Sequence, residues 1–322
     1  MNPPKWLSSA ARKLKPQQRP PSPEGEGGPS ITKNKIATAL EGIFLADGKG
    51  PGFYFVIPSL LGVLVFVLIP FADVVRRSFA TTMGGESVGF TNYQTIFQNS
   101  AFVLAATNTI KFMLVCLPLL LCLSLGLALI LYAIGEKAGI FKTAFLIPMA
   151  VPVASIVLLW RVLFADQGLA NNWLTSLGGE AIPWMDSNSA FWVLVGSYLW
   201  KNIGYDVVLW LAGLAGINES LFEAAKVDGA GNFRTFWQIT LPNLLPSMYT
   251  ILVLSLINAF KVFREAYLVA GDYPHNSIYL LQHLFNNWFR ELSMDKLSAA
   301  AVVTALVILV VILVLRHAFE EE

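Results

Sequence analysis

Long apolar runs separated by short polar breaks set the pattern of this chain. Runs near 53–75, 106–133, 143–164, 190–213, 247–268 and 298–316 each approach the about 20 residues that a helix needs to cross a bilayer. The alternating pattern with short turns that marks a membrane barrel is absent. The pattern therefore predicts an all-α, polytopic bundle of six transmembrane helices. Pro58, Pro70, Pro118, Pro148 and Pro152 lie within or at the ends of these runs. Membrane helices accept such prolines where neighbours satisfy the freed carbonyls.

Residues 1–50 break the pattern. They carry Lys5, Arg12, Lys13, Lys15, Arg19, Lys33, Lys35 and Lys49 around a Pro/Gly-rich stretch from Pro20 to Pro29. No apolar core follows the first charges closely, so this is not a signal peptide. Up to about Ser30 the composition predicts disorder. From Ile31 on, Ile36, Leu40, Ile43 and Phe44 recur at helical spacing. That spacing fits either a short helix on the membrane surface or a loosely ordered tail. The expected division is a cytoplasmic tail at 1–50 and a transmembrane domain at 51–322.

Composition agrees with a membrane chain. Of 322 residues, 55% are hydrophobic and only 13% charged, and mean hydropathy is +0.60. A water-facing surface needs about 25% charged residues. A net charge of +1 leaves no basic field to attract nucleic acid. Cys116 and Cys122, the two cysteines, sit in an apolar run and read as small buried hydrophobes.

Lys and Arg set the expected orientation. The basic tail, with Lys137 and Lys142 flanking the next loop on its side, places both termini in the cytoplasm of a plasma or inner membrane. The opposite loop near 165–189 has Asp166, Glu180 and Asp186 and no Lys or Arg. Arg76 and Arg77, just past the first run, oppose the rule, and the longer tail outweighs them.

The segment between the fourth and fifth runs, about 215–246, faces the cytoplasm on this assignment. Asn218 is placed to cap a helix, and Glu219 suits its first turn. Gly229 and Gly231 suit a break after that helix, with Gly229 a candidate for positive φ. Phe233, Phe236 and Trp237 load one face of a second helix, which Pro242 is expected to end. Ala224 and Ala225 permit close approach of another surface. Glu223 and Asp228 supply charge for a basic partner.

The spacing Glu223-Ala224-Ala225, three residues, Gly229, nine residues, then Ile239-x-Leu241-Pro242 resembles the EAA motif of ABC importer permeases. The fuller string is similar to that of the carbohydrate-uptake, maltose-type subgroup. Phe90-Thr-Asn-Tyr93, Asn108-Thr-Ile110, Trp160-Arg161, Trp200–Gly204, Leu211–Leu214 and Phe260–Phe263 fit the same family, so the resemblance covers about 50–316. One departure is Val269–Pro274, where many members read Thr-Gly-Gly-Gly-Pro. The large inserted outer domain of some maltose-type permeases is also missing.

The resemblance implies a non-catalytic permease subunit working by alternating access. Its partners would be a homologous second permease, two ATPase subunits that hold ATP and Mg, and an extracytoplasmic solute-binding protein. The cargo would be a sugar or oligosaccharide. Glu223, Ala224, Ala225, Asp228 and Gly229 would then couple the chain to the ATPase. No Gly-x-x-x-x-Gly-Lys-Ser/Thr occurs, so the chain has no P-loop and no cofactor is expected on it.

Polar residues inside the apolar runs supply the candidate path. Asn202 and Tyr205 lie one turn apart on the fourth run, and Asn258 lies near mid-depth of the fifth. Amides and a tyrosine ring suit sugar hydroxyls and faces. Lys201 and Asp206 share that run, where charges are costly and often functional. Asp206 is also the residue an ion-coupled secondary transporter would use, the alternative reading beside an importer for another solute. Such a carrier normally shows an inverted repeat, and none is visible. Ser155 reads as helix glue, and Trp160 and Arg161 as interfacial anchors. His275, His283 and His317 lack metal-ligand spacing, and the first two are expected in a solvated outer loop.

Overall fold

The computed structural model describes residues 51–82, 85–135 and 139–320. The readings of the 1–50 tail and of Lys137 lie outside the described residues. The chain divides into two units, Met1–Val67 and Leu68–Glu322. In the first unit, α1 (Pro51–Val63) carries Pro58 within it and leads into a π-turn at Leu64–Leu68.

The second unit contains α2 (Ile69–Ser78), α3 (Thr91–Gln98), α4 (Ser100–Ile134), α5 (Gly139–Ala150), α6 (Val153–Phe164) and α7 (Leu169–Ser176). There follow α8 (Ser189–Ala215), α9 (Glu219–Val227), α10 (Asn232–Thr235), α11 (Leu241–Ala259), α12 (Phe263–Ala270), α13 (Leu281–Arg290) and α14 (Met294–Glu320). Among the described residues the one extended pairing is the isolated bridge Ala80–Ser87. Five helical stretches are long and apolar enough to cross a membrane: Val56–Ser78, Ser100–Ile134, Val153–Ser176, Asn232–Ala270 and Met294–Phe319. α8 with α9, bent by 69°, makes a sixth.

The six predicted runs thus reappear, with two corrections. The third run is two helices, because Pro152 has no N–H to donate and sits extended at φ −58°, ψ 141° between α5 and α6. Pro242 does not end a helix. The chain stays helical from Asn232 to Ala270, and the π-turn at Phe236–Thr240 carries it into α11, whose first turn holds Pro242. Proline is tolerated there because the π-turn directly before it adjusts the local pairing around the missing N–H.

Buried apolar side chains form three clusters, and α4 contributes to each. Near its start, Phe102 and Ala105 pack with Leu284, Trp288 and Ala299. In its middle, Phe112 and Leu120 pack with Trp160, Phe191 and Leu256. Near its end, Ala128 and Leu131 pack with Val207, Trp210 and Leu244. Trp160 is therefore a core residue, 3% exposed, and not an interfacial anchor. Cys116 is buried as expected, whereas Cys122 is exposed on another face of the same helix.

The loop 165–189 is held by one side chain. Asn171, buried, donates to the carbonyls of Asp166 and Ile182 at 3.0 and 2.9 Å. Its oxygen accepts from the Ile182 N–H and the Trp184 indole at 3.0 and 2.9 Å. All four bonds an amide can make stand in place of regular structure.

α5 and α8 meet at Gly204, where any Cβ would overlap the backbone carbonyl of Phe145. Backbone cannot yield as a flexible side chain does, so the close approach requires glycine. Gly204→Val is expected to cost about 1–3 kcal/mol or more through overpacking and to lower the melting temperature of the detergent-purified protein. Gly196→Val on the same helix, where a Cβ meets nothing within 4 Å, is the control and leaves melting unchanged.

Candidate functional site

α9 is built as a rigid, separate rod. The Asn218 side chain accepts from the Ser220 N–H at 3.1 Å and caps its start, as the sequence predicts. Its end closes with two paired bonds, Ala230 N–H to Ala225 C=O at 2.9 Å and Gly229 N–H to Lys226 C=O at 3.1 Å. This closure needs a left-handed residue, and Gly229 supplies it at φ +71°. Glu223, Ala224 and Asp228 are exposed. Ala225 is buried against its own chain, so of the two alanines Ala224 alone presents surface. Val227, Phe233 and Trp237 are exposed beside it, with the two aromatic rings 6.2 Å apart. An open groove of about 710 Å³ lies at the root of α9, between Gly213, Gly216 and Asn218 on one side and Asn243, Ser247 and Thr250 on the other.

The second group of polar residues joins α8 to α11 and α12. Asp206, 1% exposed, accepts from the Ser255 hydroxyl at 2.9 and 3.2 Å through its two oxygens. One turn and two turns away on α8 stand Asn202 and Tyr198, and the Tyr198 hydroxyl donates to the Ser255 carbonyl at 3.0 Å. Ser255 thus receives one side chain on its hydroxyl and another on its backbone. Lys201 donates to Glu265 Oε1 at 2.5 Å, tying α8 to α12. Glu265 Oε2 is buried without a partner. Glu265 was not singled out from sequence. Its one available signal was a carboxylate inside an apolar run that also had to answer Lys201.

The three expected path residues flank this clamp without bonding to one another. Asn202 is half-buried and donates to the Tyr198 carbonyl at 2.8 Å. Tyr205 is half-buried on the next face of α8. Asn258, half-buried and one turn beyond Ser255, accepts from Lys261 at 2.9 Å. Ser155 is exposed on α6.

His283 also departs from expectation. It is fully buried on α13 rather than solvated in a loop. Its Nδ1 accepts the Leu280 N–H at 3.1 Å, so the proton sits on Nε2, which has no hydrogen-bond partner. Phe263 meets the ring edge-on at 4.7 Å and Tyr279 stacks on it at 5.7 Å. Burial pushes the imidazole from its ordinary 6.5 down to about 4, against the pull of Asp272. Among the described residues no group of three or more His, Cys, Asp or Glu is arranged to hold a metal.

Residues 121–320 match the family described as "Binding-protein-dependent transport system inner membrane component". This chain belongs to that family. Among its relatives is the sulfoquinovosyl glycerol transport system permease of Agrobacterium fabrum, 34% identical over 76% of this chain and 82% of the relative. The arabinooligosaccharides permease of Bacillus subtilis is 32% identical over 83% and 87% of the two chains. The trehalose/maltose permease of Thermococcus litoralis is 32% identical over 80% and 90%. A solved bacterial ABC transporter that imports the acidic polysaccharide alginate contains a chain of the same fold, with a TM-score of 0.74 at 22% identity over 89% of this chain and 99% of that one. The protein is thus an inner-membrane permease component of a binding-protein-dependent ABC importer, and the α8–α12 clamp lies inside the segment that carries the family match.

Two outcomes follow from the permease's buried titratable groups. Lys201→Met leaves Glu265 charged and alone, and is expected to cost about 3–5 kcal/mol in thermal or denaturant unfolding. The double variant Lys201→Met with Glu265→Leu removes both charges and is expected to recover most of that loss. For His283 the folded state resists protonation while the unfolded chain does not. Stability is therefore full above pH 6.5 and falls as the pH drops toward about 4, by about 3 kcal/mol at most. Melting curves from pH 8 to pH 4 are expected to show this loss, and His283→Gln, which does not titrate, to flatten it.

Proposed function

We propose that this permease carries a saccharide or saccharide derivative inward as one of two homologous membrane subunits. Two ATPase subunits that bind ATP and Mg drive it, and an extracytoplasmic binding protein delivers the cargo. The relatives named for sulfoquinovosyl glycerol, arabinooligosaccharides and trehalose/maltose support the cargo class. Both termini and α9 lie in the cytoplasm on this reading, in line with the basic tail.

The observation that carries the coupling role is the construction of α9. A short helix capped at both ends, bent 69° from α8 and presenting Glu223, Ala224 and Asp228, moves as one body when pushed. ATP-driven closure of the ATPases displaces it. α8 and α11 then turn together, because Asp206, Ser255 and Tyr198 bind them. Cargo passes Asn202, Tyr205 and Asn258 as the two states exchange, each state biased by nucleotide and binding protein. No chemistry occurs on this chain. An ion-coupled carrier is disfavoured by Asp206, which is 1% exposed and takes the Ser255 hydroxyl across the α8–α11 contact.

Assembled complexes in proteoliposomes test the reading. Glu223→Lys, which reverses charge on the α9 surface, and Gly229→Val, which a residue at φ +71° does not accommodate, are both expected to cut ATP-dependent saccharide uptake at least tenfold. The chain still inserts in both. Wild-type uptake in both variants would falsify the coupling role. ATP hydrolysis by the purified chain after removal of every partner would overturn the assignment of the chemistry to another subunit.

A further inference from the structure

The polar face of the fifth span carries more positive charge than the chain itself neutralises. Lys261 and Arg264 lie one turn apart at the junction of α11 and α12, and both are exposed. Among the described residues neither meets a carboxylate. Glu265, the acid beside them in sequence, is buried and engaged by Lys201. Asp206 is sealed behind Ser255. On the stretch formed by α8, α11 and α12, the cations Lys201, Lys261 and Arg264 therefore outnumber the carboxylates Glu265 and Asp206, and the two that are exposed are both positive.

Lipid is the wrong surroundings for this face. Charged side chains on membrane helices turn to the bundle interior, to a water-filled cavity or to the nearest headgroups. A lysine that reaches for headgroups directs its ammonium away from the bilayer centre. Lys261 does the opposite. Its Nζ folds back one turn and donates to Asn258 Oδ1 at 2.9 Å, toward mid-span. Asn258 is the residue the proposed path places beside the cargo. The ammonium is held beside Asn258 by a neutral acceptor that leaves its charge uncompensated, with Arg264 one turn further along the helix.

We propose that the cargo is an anionic saccharide, one bearing a carboxylate, sulfonate or phosphate, and that Lys261 and Arg264 receive its charge. This rests on the saccharide-import reading above and sharpens it. A neutral sugar hydrogen-bonds to Asn258 or Tyr205 but leaves two exposed cations unanswered. An anion answers both, and the guanidinium of Arg264 suits a two-oxygen group. Two cationic contacts, one ammonium and one guanidinium, without a fixed counter-carboxylate also let go readily once the path hydrates, as a transporter requires.

The test uses the complete transporter, with its partner permease, ATPases and binding protein, in phosphatidylcholine vesicles. The probes are radiolabelled digalacturonate and glucose 6-phosphate on one side and maltose and lactose on the other. ATP-dependent uptake of an anionic probe, with less than a tenth of that rate for both neutral sugars, is the expected result. Lys261→Gln with Arg264→Gln is expected to cut that uptake at least tenfold with the yield of assembled complex retained, while Lys261→Arg retains most of it. Uptake of neutral sugars alone, or equal uptake of anionic probes by the double glutamine variant, overturns the inference and leaves saccharide import standing. Loss of assembly in the glutamine variant, rescued by no change of cargo, assigns the two cations to a carboxylate of the second permease and also overturns it. An effect that appears only when anionic lipid is added to the vesicles assigns them to headgroups, with the same consequence. Absence of uptake for every saccharide overturns the import reading and this inference with it.

Discussion

A bilayer core offers no water to a peptide group, and every backbone N–H and C=O in it must find a partner within the protein. The rest of this structure follows from that constraint. It forces helices, and it makes each interruption of a helix a place where the unpaired groups have to be answered. The interruptions are answered in several ways: an extended proline at Pro152, π-turns at Leu64–Leu68 and Phe236–Thr240, a 3-10 turn at Phe260–Val262, and a left-handed glycine at Gly229. Where chain leaves helical form outside the spans, a single side chain takes over the pairing, as Asn171 does for the loop it closes.

The same scarcity of polar partners explains why the α8–α11 contact is so specific. Among apolar helices, van der Waals packing alone tolerates sliding and rotation. Asp206 on Ser255, Tyr198 on the Ser255 carbonyl and Lys201 on Glu265 do not. These bonds also fix which parts of the bundle move together. α9 follows α8 directly, and α8 is bound to α11 and α12, so a displacement at one end of this arm is shared by both faces of the candidate path.

Much of this was readable in the sequence. Helical runs announce themselves by length and hydropathy, and the two ends of α9 by a capping Asn218 and a terminal Gly229, because those signals are local. What was missed depends on contacts between distant segments. Pro242 looks like a stop until the π-turn before it is seen, and a five-residue closure leaves no composition signature. His283 looks like a loop residue because nothing near it in sequence tells of Phe263 and Tyr279 closing over its ring. Trp160 has the composition of an anchor and the position of a core residue, a difference set by α4 and α8. Glu265 gains meaning only from Lys201, 64 residues earlier.

The π-turn at Phe236–Thr240 sets the phase of everything that follows it. A turn that closes over five residues holds one more residue than its α counterpart, and each residue of an α-helix advances the side-chain direction by about 100°. Ser255 points at Asp206 only because that extra residue has been absorbed upstream. Were the same residues wound as plain α-helix, α11 would stay apolar, long enough and helical, yet its whole length would be indexed one tooth out. Leu254 would then face the carboxylate. The five-residue closure is what lets this helix carry one residue more than its contacts with α8 count.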